Sequence, residues 1–343
     1  MMRLPLFEFR APQTVAEAAR ILDGEGPRAM PLAGGTDLLP NMKRRQQVPK
    51  TLLSLNHIQE LHRLELGASS ARLGACLTLS EIAADPLFRN GLTALAQAAS
   101  FVATPQIRNM ATLGGNLCLD TRCNYYDQNY EWRKAIGFCL KKDGDICWVA
   151  PGSAKCMAVS STDTAPALMV LGARVRLVSR SGEREVPLAE LYQNDGIHYM
   201  KRQPNELLTD VFVDSLHGWK SVYWKLRRRG SFDFPVLSVA AAARLSKNGG
   251  VEDARIVVGS VACLPLIAAE ASHSLIGRSL NQGSIAGAAA LAARIAKPLD
   301  NTDFDMTWRK RVTAEFVTYA LRELRGDDMR GERLLLTRHS SSL

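Results

Sequence analysis

Four cysteines in the middle of the chain are the residues best suited to chemistry. Cys123, Cys139, Cys147 and Cys156 are separated by 15, 7 and 8 residues, in a stretch rich in aromatic side chains. Structural zinc sites usually draw their cysteines from close pairs such as C-x-x-C, which this stretch lacks. Widely spaced thiolates can also surround a larger iron–sulfur cubane. On spacing alone, an iron–sulfur cluster and zinc rank about level, with unbound structural thiols third.

Two glycine pairs follow apolar runs, in the segments 33–38 (Ala-Gly-Gly-Thr-Asp-Leu) and 112–116 (Thr-Leu-Gly-Gly-Asn). Because glycine has no Cβ atom, successive amides in such turns can approach an anion and form a phosphate-binding nest. One pair is more often a simple tight turn, whereas two pairs favour a long, phosphate-bearing ligand. Neither segment fits the Rossmann fingerprint or the P-loop.

Hydrophobic periodicity predicts the elements that position these residues. Short strands are expected at 7–9, 30–33, 51–55 and 173–178, a hairpin within 64–79, and helices at 15–22, 92–99 and 163–171. Residues 117–159 show no sustained period, and their aromatic content argues for an ordered, functional loop. From residue 220 onwards, strands at 222–226, 236–245 and 254–261 and helices at 285–296 and 306–325 predict a separate α+β domain.

Composition restricts the class of protein. At 343 residues the chain is too long for one compact core. The formal charge of +9 is scattered apart from 43–45 and 227–229, which favours a solvated basic surface over nucleic-acid binding. The sequence shows neither a secretory signal nor an apolar run long enough for a bilayer, so we expect a cytoplasmic protein without disulfides. No arrangement of histidine, serine or cysteine typical of a catalytic site is found, and no catalytic residue is expected.

The motifs at 33–38, 111–116 and 161–168 together resemble those of the FAD-binding subunits of molybdenum hydroxylases, relatives of which occur in xanthine dehydrogenase and carbon monoxide dehydrogenase. The resemblance extends from about residue 5 to 324. It implies an α+β fold, with a two-subdomain FAD-binding fold of the PCMH (vanillyl-alcohol oxidase-like) type and a C-terminal α+β domain of the CO dehydrogenase flavoprotein type. The expected boundaries are 1–56, 57–219, 220–330 and a tail at 331–343.

Ordinary members of this family have only a few residues between the Gly-Gly-Asn motif and the following Ser-x-x-Asp motif, whereas here about 40 intervene, at about 117–159. This insertion resembles that of the β subunits of 4-hydroxybenzoyl-CoA reductases, in which four cysteines hold a [4Fe–4S] cluster. Cys123, Cys139, Cys147 and Cys156 match those ligands in order and spacing. The resemblance therefore implies a cluster rather than zinc.

The resemblance also implies a set of FAD contacts. The pyrophosphate would lie on Ala33, Gly34, Gly35, Thr36, Asp37 and Leu38. The second half of the cleft would be formed by Thr112, Gly114, Gly115 and Asn116. Asp163 would bond the ribityl or ribose region, and Lys225 would lie near the isoalloxazine. A cation there would stabilise the anionic reduced flavin. We expect the cysteine loop to be separate from the glycine turns, so that losing the cluster would leave FAD bound.

The function implied is electron transfer. Ferredoxin would reduce the [4Fe–4S] cluster, and electrons would pass through FAD to [2Fe–2S] clusters on a small partner subunit and a molybdenum cofactor on a large one. There 4-hydroxybenzoyl-CoA would be reductively dehydroxylated to benzoyl-CoA, in anaerobic aromatic degradation by a dimerised complex. One alternative is a related flavin and iron–sulfur subunit serving another substrate. A second, from another class, is a zinc-stabilised structural module.

Overall fold

The computed structural model describes residues 3–67, 70–214 and 217–338. Its N-terminal region is a three-stranded parallel sheet, in which β3 (Thr51–Ser54) lies between β1 (Glu8–Arg10) and β2 (Ala29–Leu32). Helices α1 (Val15–Glu25) and α2 (Leu38–Lys43) complete it, since parallel strands need crossover connections. Thr14 caps α1, accepting a hydrogen bond from the amide of Glu17 at 3.1 Å.

The second region is a five-stranded antiparallel sheet in the order β4-β5-β8-β6-β7. Its strands are β4 (Leu64–Leu66), β5 (Ala71–Gly74), β6 (Arg174–Ser179), β7 (Gly182–Pro187) and β8 (Leu207–Val213). Its helices are α3 (Leu79–Ala84), α4 (Pro86–Gly91), α5 (Thr93–Phe101), α6 (Pro105–Arg108), α7 (Leu113–Leu117), α8 (Tyr130–Ala135), α9 (Thr164–Val170) and α10 (Leu188–Leu191). The buried apolar faces of α5 and α9 form its core with β5, β6 and β8.

Two short helices lie where the sequence predicted a turn and an irregular loop. The second glycine pair lies in α7, because the Thr112 hydroxyl accepts the Gly115 amide at 3.1 Å and caps a helix. Within the cysteine-bearing stretch, Asn129 caps α8 by accepting the amide of Trp132 at 2.9 Å. Capping by a short polar side chain thus starts helices that periodicity over so few residues does not reveal.

The C-terminal region is a four-stranded antiparallel sheet in the order β12-β11-β10-β9. It contains β9 (Trp219–Leu226), β10 (Leu237–Leu245), β11 (Val251–Gly259), β12 (Leu266–Ile267), α11 (Ala269–His273), α12 (Gln282–Ile295), α13 (Met306–Arg325) and α14 (Arg330–Arg338). Val239 and Ala241 of β10 pack towards α12 and α13, whereas Ala240 and Ala242 join the core of the second region. Both faces of this sheet are therefore buried.

The predicted α+β class agrees with these elements, and the predicted boundaries at 56/57 and 219/220 fall close to changes of sheet. Whether the three regions fold independently stays a prediction. Part of the predicted tail forms α14, and residues 339–343 lie outside the described ranges. Across the described ranges, no helix combines the length and apolar character needed to cross a membrane.

Candidate cofactor cleft and cysteine cage

The three regions meet at a cleft with a volume of about 370 Å³. The N-terminal region contributes the loop between β2 and α2, the second region contributes α7, and the C-terminal region contributes the loop 232–234. The predicted residues that line the cleft are Ala33, Gly34, Gly35, Thr36, Asp37, Leu38, Thr112, Gly114, Gly115, Asn116 and Asp163. The structure thus brings both glycine segments, 80 positions apart in sequence between Gly34 and Gly114, to one cavity.

The glycines allow the segments that form the cleft walls to contact each other closely, and they also leave space in the cleft. A Cβ atom on Gly34 would lie 1.7 Å from the carbonyl oxygen of Met110, so only glycine lets the β2–α2 loop touch the segment before α7. Gly35 has φ of 69°, a left-handed conformation that favours glycine. Gly114 is also confined, since its Cβ would lie 2.7 Å from that of Ala75.

The side chain of Asn116 fixes the opposite wall. Its Oδ1 accepts hydrogen bonds from the hydroxyl of Thr162 at 2.9 Å, and from the amide and hydroxyl of Thr164 at 3.0 and 2.7 Å. These bonds join α7 to the start of α9. Asn116 therefore holds the two segments that flank the insertion, and brings Asp163 to the cleft.

Lys225 lies behind the cleft wall rather than along it. Its Nζ donates to Asp163 Oδ2 at 3.0 Å and to the carbonyl of Phe101 at 3.0 Å, while Tyr223 donates to Asp163 Oδ1 at 2.6 Å. Burial lowers the pKa of Lys225, and the carboxylate of Asp163 opposes that shift. Lys225 is thus placed to hold Asp163, and the predicted contact with the isoalloxazine stays a prediction.

Several charged and aromatic residues of the cleft were not predicted from the sequence. Arg44, Asp120, Arg122, Tyr199 and Arg202 all line it. The three guanidinium groups supply positive charge of the kind that binds phosphate groups. Asp120 and Arg122 belong to the insertion. Their position could have been predicted, because the chain that leaves α7 at the cleft wall must continue along that wall.

Arg122 ties the insertion to the first glycine loop. Its guanidinium forms ion pairs with Asp37 and, at 2.8 Å, with Asp127, and it donates to Asn41 at 3.3 Å. Arg44 also pairs with Asp127, at 3.2 Å. The expectation that the cysteine loop is separate from the glycine turns is therefore wrong, because side chains of the insertion bond directly to the cleft wall.

The four central cysteines meet at a second, much smaller cavity of about 10 Å³. All four are buried, and they line this cavity with Tyr125, Tyr126, Leu140, Lys141, Trp148, Val149 and Ala158. We call this set of thiols and surrounding side chains the cysteine cage. The thiols are free rather than joined as disulfides. Segments far apart in sequence therefore present their thiols to one apolar space, as the spacing allowed.

The cage contains groups that favour thiolates. Burial raises the pKa of Cys123 to about 12, while the amides of Tyr125 and Tyr126 oppose that rise. Burial also raises the pKa of Cys156 to about 11, against the Ala158 amide and the charge of Lys141. The amide of Ala158 donates to Cys156 Sγ at 3.4 Å. Such N–H to sulfur bonds stabilise sulfur ligands of a metal centre, so this donor set fits one. Within the described ranges, however, no group of three or more His, Cys, Asp or Glu side chains is placed to hold a metal ion.

Comparisons with known proteins identify the family. Residues 5–214 match the FAD binding domain in molybdopterin dehydrogenase, and residues 221–324 match the CO dehydrogenase flavoprotein C-terminal domain. The chain therefore belongs to the FAD-binding subunits of the molybdenum hydroxylase family. This result confirms the predicted fold class and supports FAD as the ligand of the cleft.

Individual relatives cover nearly the whole chain. It is 32% identical over 326 residues to the FAD-binding subunit of an aldehyde oxidoreductase from Escherichia coli, covering 92% of this chain and 98% of the relative. It is 28% identical to the carbon monoxide dehydrogenase medium chain of Hydrogenophaga pseudoflava, covering 92% and 96%. The structure of reconstituted CO dehydrogenase from Oligotropha carboxidovorans superposes with a TM-score of 0.78 at 25% identity, covering 94% and 99%.

Gly34→Ala should disrupt the cleft, because the new Cβ would collide with the Met110 carbonyl. We expect the free energy of unfolding to fall by about 1–3 kcal/mol and the FAD content of the purified protein to fall severalfold. Thermal unfolding and the flavin-to-protein absorbance ratio measure both. Gly91→Ala is the control, since nothing lies within 4 Å of a Cβ at that position. Full flavin content in Gly34→Ala would contradict this account of the wall.

Arg122→Met should weaken FAD binding at least tenfold, because Asp37 and Asp127 would lose the cation that holds the insertion against the glycine loop. Fluorescence titration of the apoprotein with FAD measures the dissociation constant. Arg10→Met provides the control, since Arg10 is exposed and pairs only with nearby Glu8 at 2.8 Å in the described structure. Equal FAD affinity in both variants would show that Arg122 plays no part in forming the cleft.

Proposed function

We propose that this chain binds FAD in the cleft and a [4Fe–4S] cluster in the cysteine cage, and that it serves as the electron-transfer subunit of a molybdenum enzyme. The observation that carries the proposal is the adjacency of the two sites. Arg122 lines the cleft, and the next residue, Cys123, lines the cage. When bound, the two groups would supply one-electron transfer and its coupling to two-electron chemistry.

The cluster is preferred to a zinc ion on the chemistry of the donor set. Four thiolates on one zinc ion would each lie about 2.3 Å from it, and the described side chains are not gathered around a single ion. A cubane is wider and takes one thiolate at each corner, so its ligands stand further apart. The family resemblance of the insertion supports the same choice. The proposal therefore requires the cage to open from its present small cavity when the cluster is bound.

For the holoenzyme we propose 4-hydroxybenzoyl-CoA reductase activity, with ferredoxin as electron donor and partner subunits carrying [2Fe–2S] clusters and molybdenum cofactor. The insertion and the order of its four cysteines support this choice. The substrate would bind the molybdenum subunit, so this chain's own residues would hold cofactors and exclude water from them.

A second candidate is a flavin and iron–sulfur subunit of a molybdenum hydroxylase with another substrate. The similarity to the aldehyde oxidoreductase subunit favours it as much as the insertion favours the first candidate. Other relatives are named for carbon monoxide and nicotinate. The fold of this chain is common to all of them, and the choice of substrate depends on the partner.

Turnover by the complex, co-expressed with its partner subunits and purified without oxygen, separates the two candidates. We expect the dithionite-reduced enzyme to convert 4-hydroxybenzoyl-CoA to benzoyl-CoA and water, using two electrons and two protons per molecule. Product analysis by chromatography and flavin reoxidation by absorbance measure the reaction. Reduction of the oxidised enzyme by an aldehyde, without turnover of the thioester, would favour the second candidate.

Cys139→Ala should remove the cluster, because one corner would lose its thiolate. We expect iron and acid-labile sulfide to fall at least tenfold in protein purified without oxygen, while FAD stays bound more weakly. Cys263→Ala is a stringent control: Cys263 is buried, and its thiol contacts the Cys156 carbonyl at 3.4 Å, but it does not line the cage. Equal iron and sulfide content in the two variants would remove Cys139 from the ligand set.

A further inference from the structure

The wall between the cage and the cleft is only a few side chains thick. Tyr126 lines the cage, and its hydroxyl donates to Asp120 Oδ2 at 3.0 Å. Asp120 in turn lines the cleft. A single hydrogen bond therefore connects a residue of one cavity to a residue of the other.

Lys141 occupies the middle of this wall. Its Nζ donates to Asp120 Oδ1 at 2.8 Å, to Thr121 Oγ1 at 2.7 Å and to the Gly196 carbonyl at 2.6 Å. It also lies over the ring of Tyr126, with the centroid at 4.8 Å. Since an ammonium group has three protons, these three acceptors use all of them and hold the charge at one place.

The ion pair is buried and directional. The side chains of Lys141 and Asp120 are 6% and 7% exposed. Lys141 lines the cage whereas Asp120 lines the cleft, so the positive member of the pair lies on the cage side of the wall. Gly196, whose carbonyl Lys141 bonds, touches the cage too: a Cβ there would lie 2.7 Å from Cys156 Sγ. The ammonium group is thus bonded to a residue that packs directly against one of the four thiols.

A second positive side chain nearby does not share this arrangement. Lys142 is 34% exposed and pairs with Asp143 at 3.3 Å. Charges at such positions are screened by solvent, whereas a charge buried in the wall is screened much less. The adjacent lysines therefore differ in environment but not in formal charge.

We propose that Lys141 supplies the fixed positive charge that sets the reduction potential of the cluster in the cysteine cage, and that Asp120 holds it there; this inference rests on the cluster being present, as proposed above. Reduction adds one electron, and hence one negative charge, to a buried site. A cation held in low dielectric beside a thiolate ligand stabilises that added charge. A buried pair used only for stability would need no particular direction.

The test is an EPR-monitored redox titration of the full-length protein, purified without oxygen, with dithionite as the one-electron reductant. We expect Lys141→Gln to shift the midpoint potential of the cluster to more negative values by at least the equivalent of a tenfold change in the reduction equilibrium, about 59 mV for one electron. Asp120→Asn should shift it to more positive values, because the cation then stands unopposed. Lys142→Gln and the charge-retaining Lys141→Arg should leave it close to that of the unchanged protein.

Shifts of opposite sign are the decisive readout, since a general loosening of the cage would move both variants in the same direction. Equal potentials in Lys141→Gln, Lys142→Gln and the unchanged protein would overturn the inference while leaving the proposed function intact. If Lys141→Gln fails to assemble a cluster, the midpoint potentials of Asp120→Asn and Lys141→Arg are compared instead. Equal potentials in those two variants would overturn the inference. A missing cluster signal in the unchanged protein would refute both the proposed function and this inference.

Discussion

The ion pairs of Arg122 are the constraint on which the arrangement of both sites depends. The guanidinium lies between Asp37 at the end of the first glycine loop and Asp127 of the insertion, and its side chain is 7% exposed. A buried cation is stable only with such partners, since its desolvation costs several kcal/mol. The position at which the insertion begins is therefore set by the same residue that lines the cleft, and residues next to Arg122 cannot move far without disturbing the glycine loop.

Two further buried pairs follow the same rule. Asp163 with Lys225 and Asp120 with Lys141 each place one charge at the cleft and the partner behind it. Apolar side chains would pack such walls more simply, and replacing buried pairs by apolar residues is often neutral for stability. At the cleft these pairs present carboxylates, and the lysine partners determine the orientation of those carboxylates.

Much of the fold and of the candidate site follows from sequence patterns. The long helix α13, the three long strands β9–β11 and the gathering of both glycine pairs were predicted, because periodicity and glycine placement are local properties. The role of Lys225 as the partner of Asp163 was not predicted, since alternation in β9 shows which face it occupies but not what covers that face. The residues Asp120 and Arg122 were missed for a related reason: the contacts that bring them to the cleft wall, with Gln47 and Asp37, lie more than 70 positions away, and no local pattern records such contacts.

The place at which the insertion enters explains how the cysteine cage can be added to this fold without rebuilding it. Asn116 holds α7 against the start of α9, so the two ends of the insertion leave from neighbouring points on the cleft wall. A long loop inserted there is tolerated, because the entropic cost of closing a loop grows only slowly with its length. Its first residues must also run along the cleft before they turn away, which puts Cys123 one residue beyond Arg122. The cage therefore lies next to the cleft because of where the insertion begins. That starting point does not determine which charged residues lie in the wall between the two cavities.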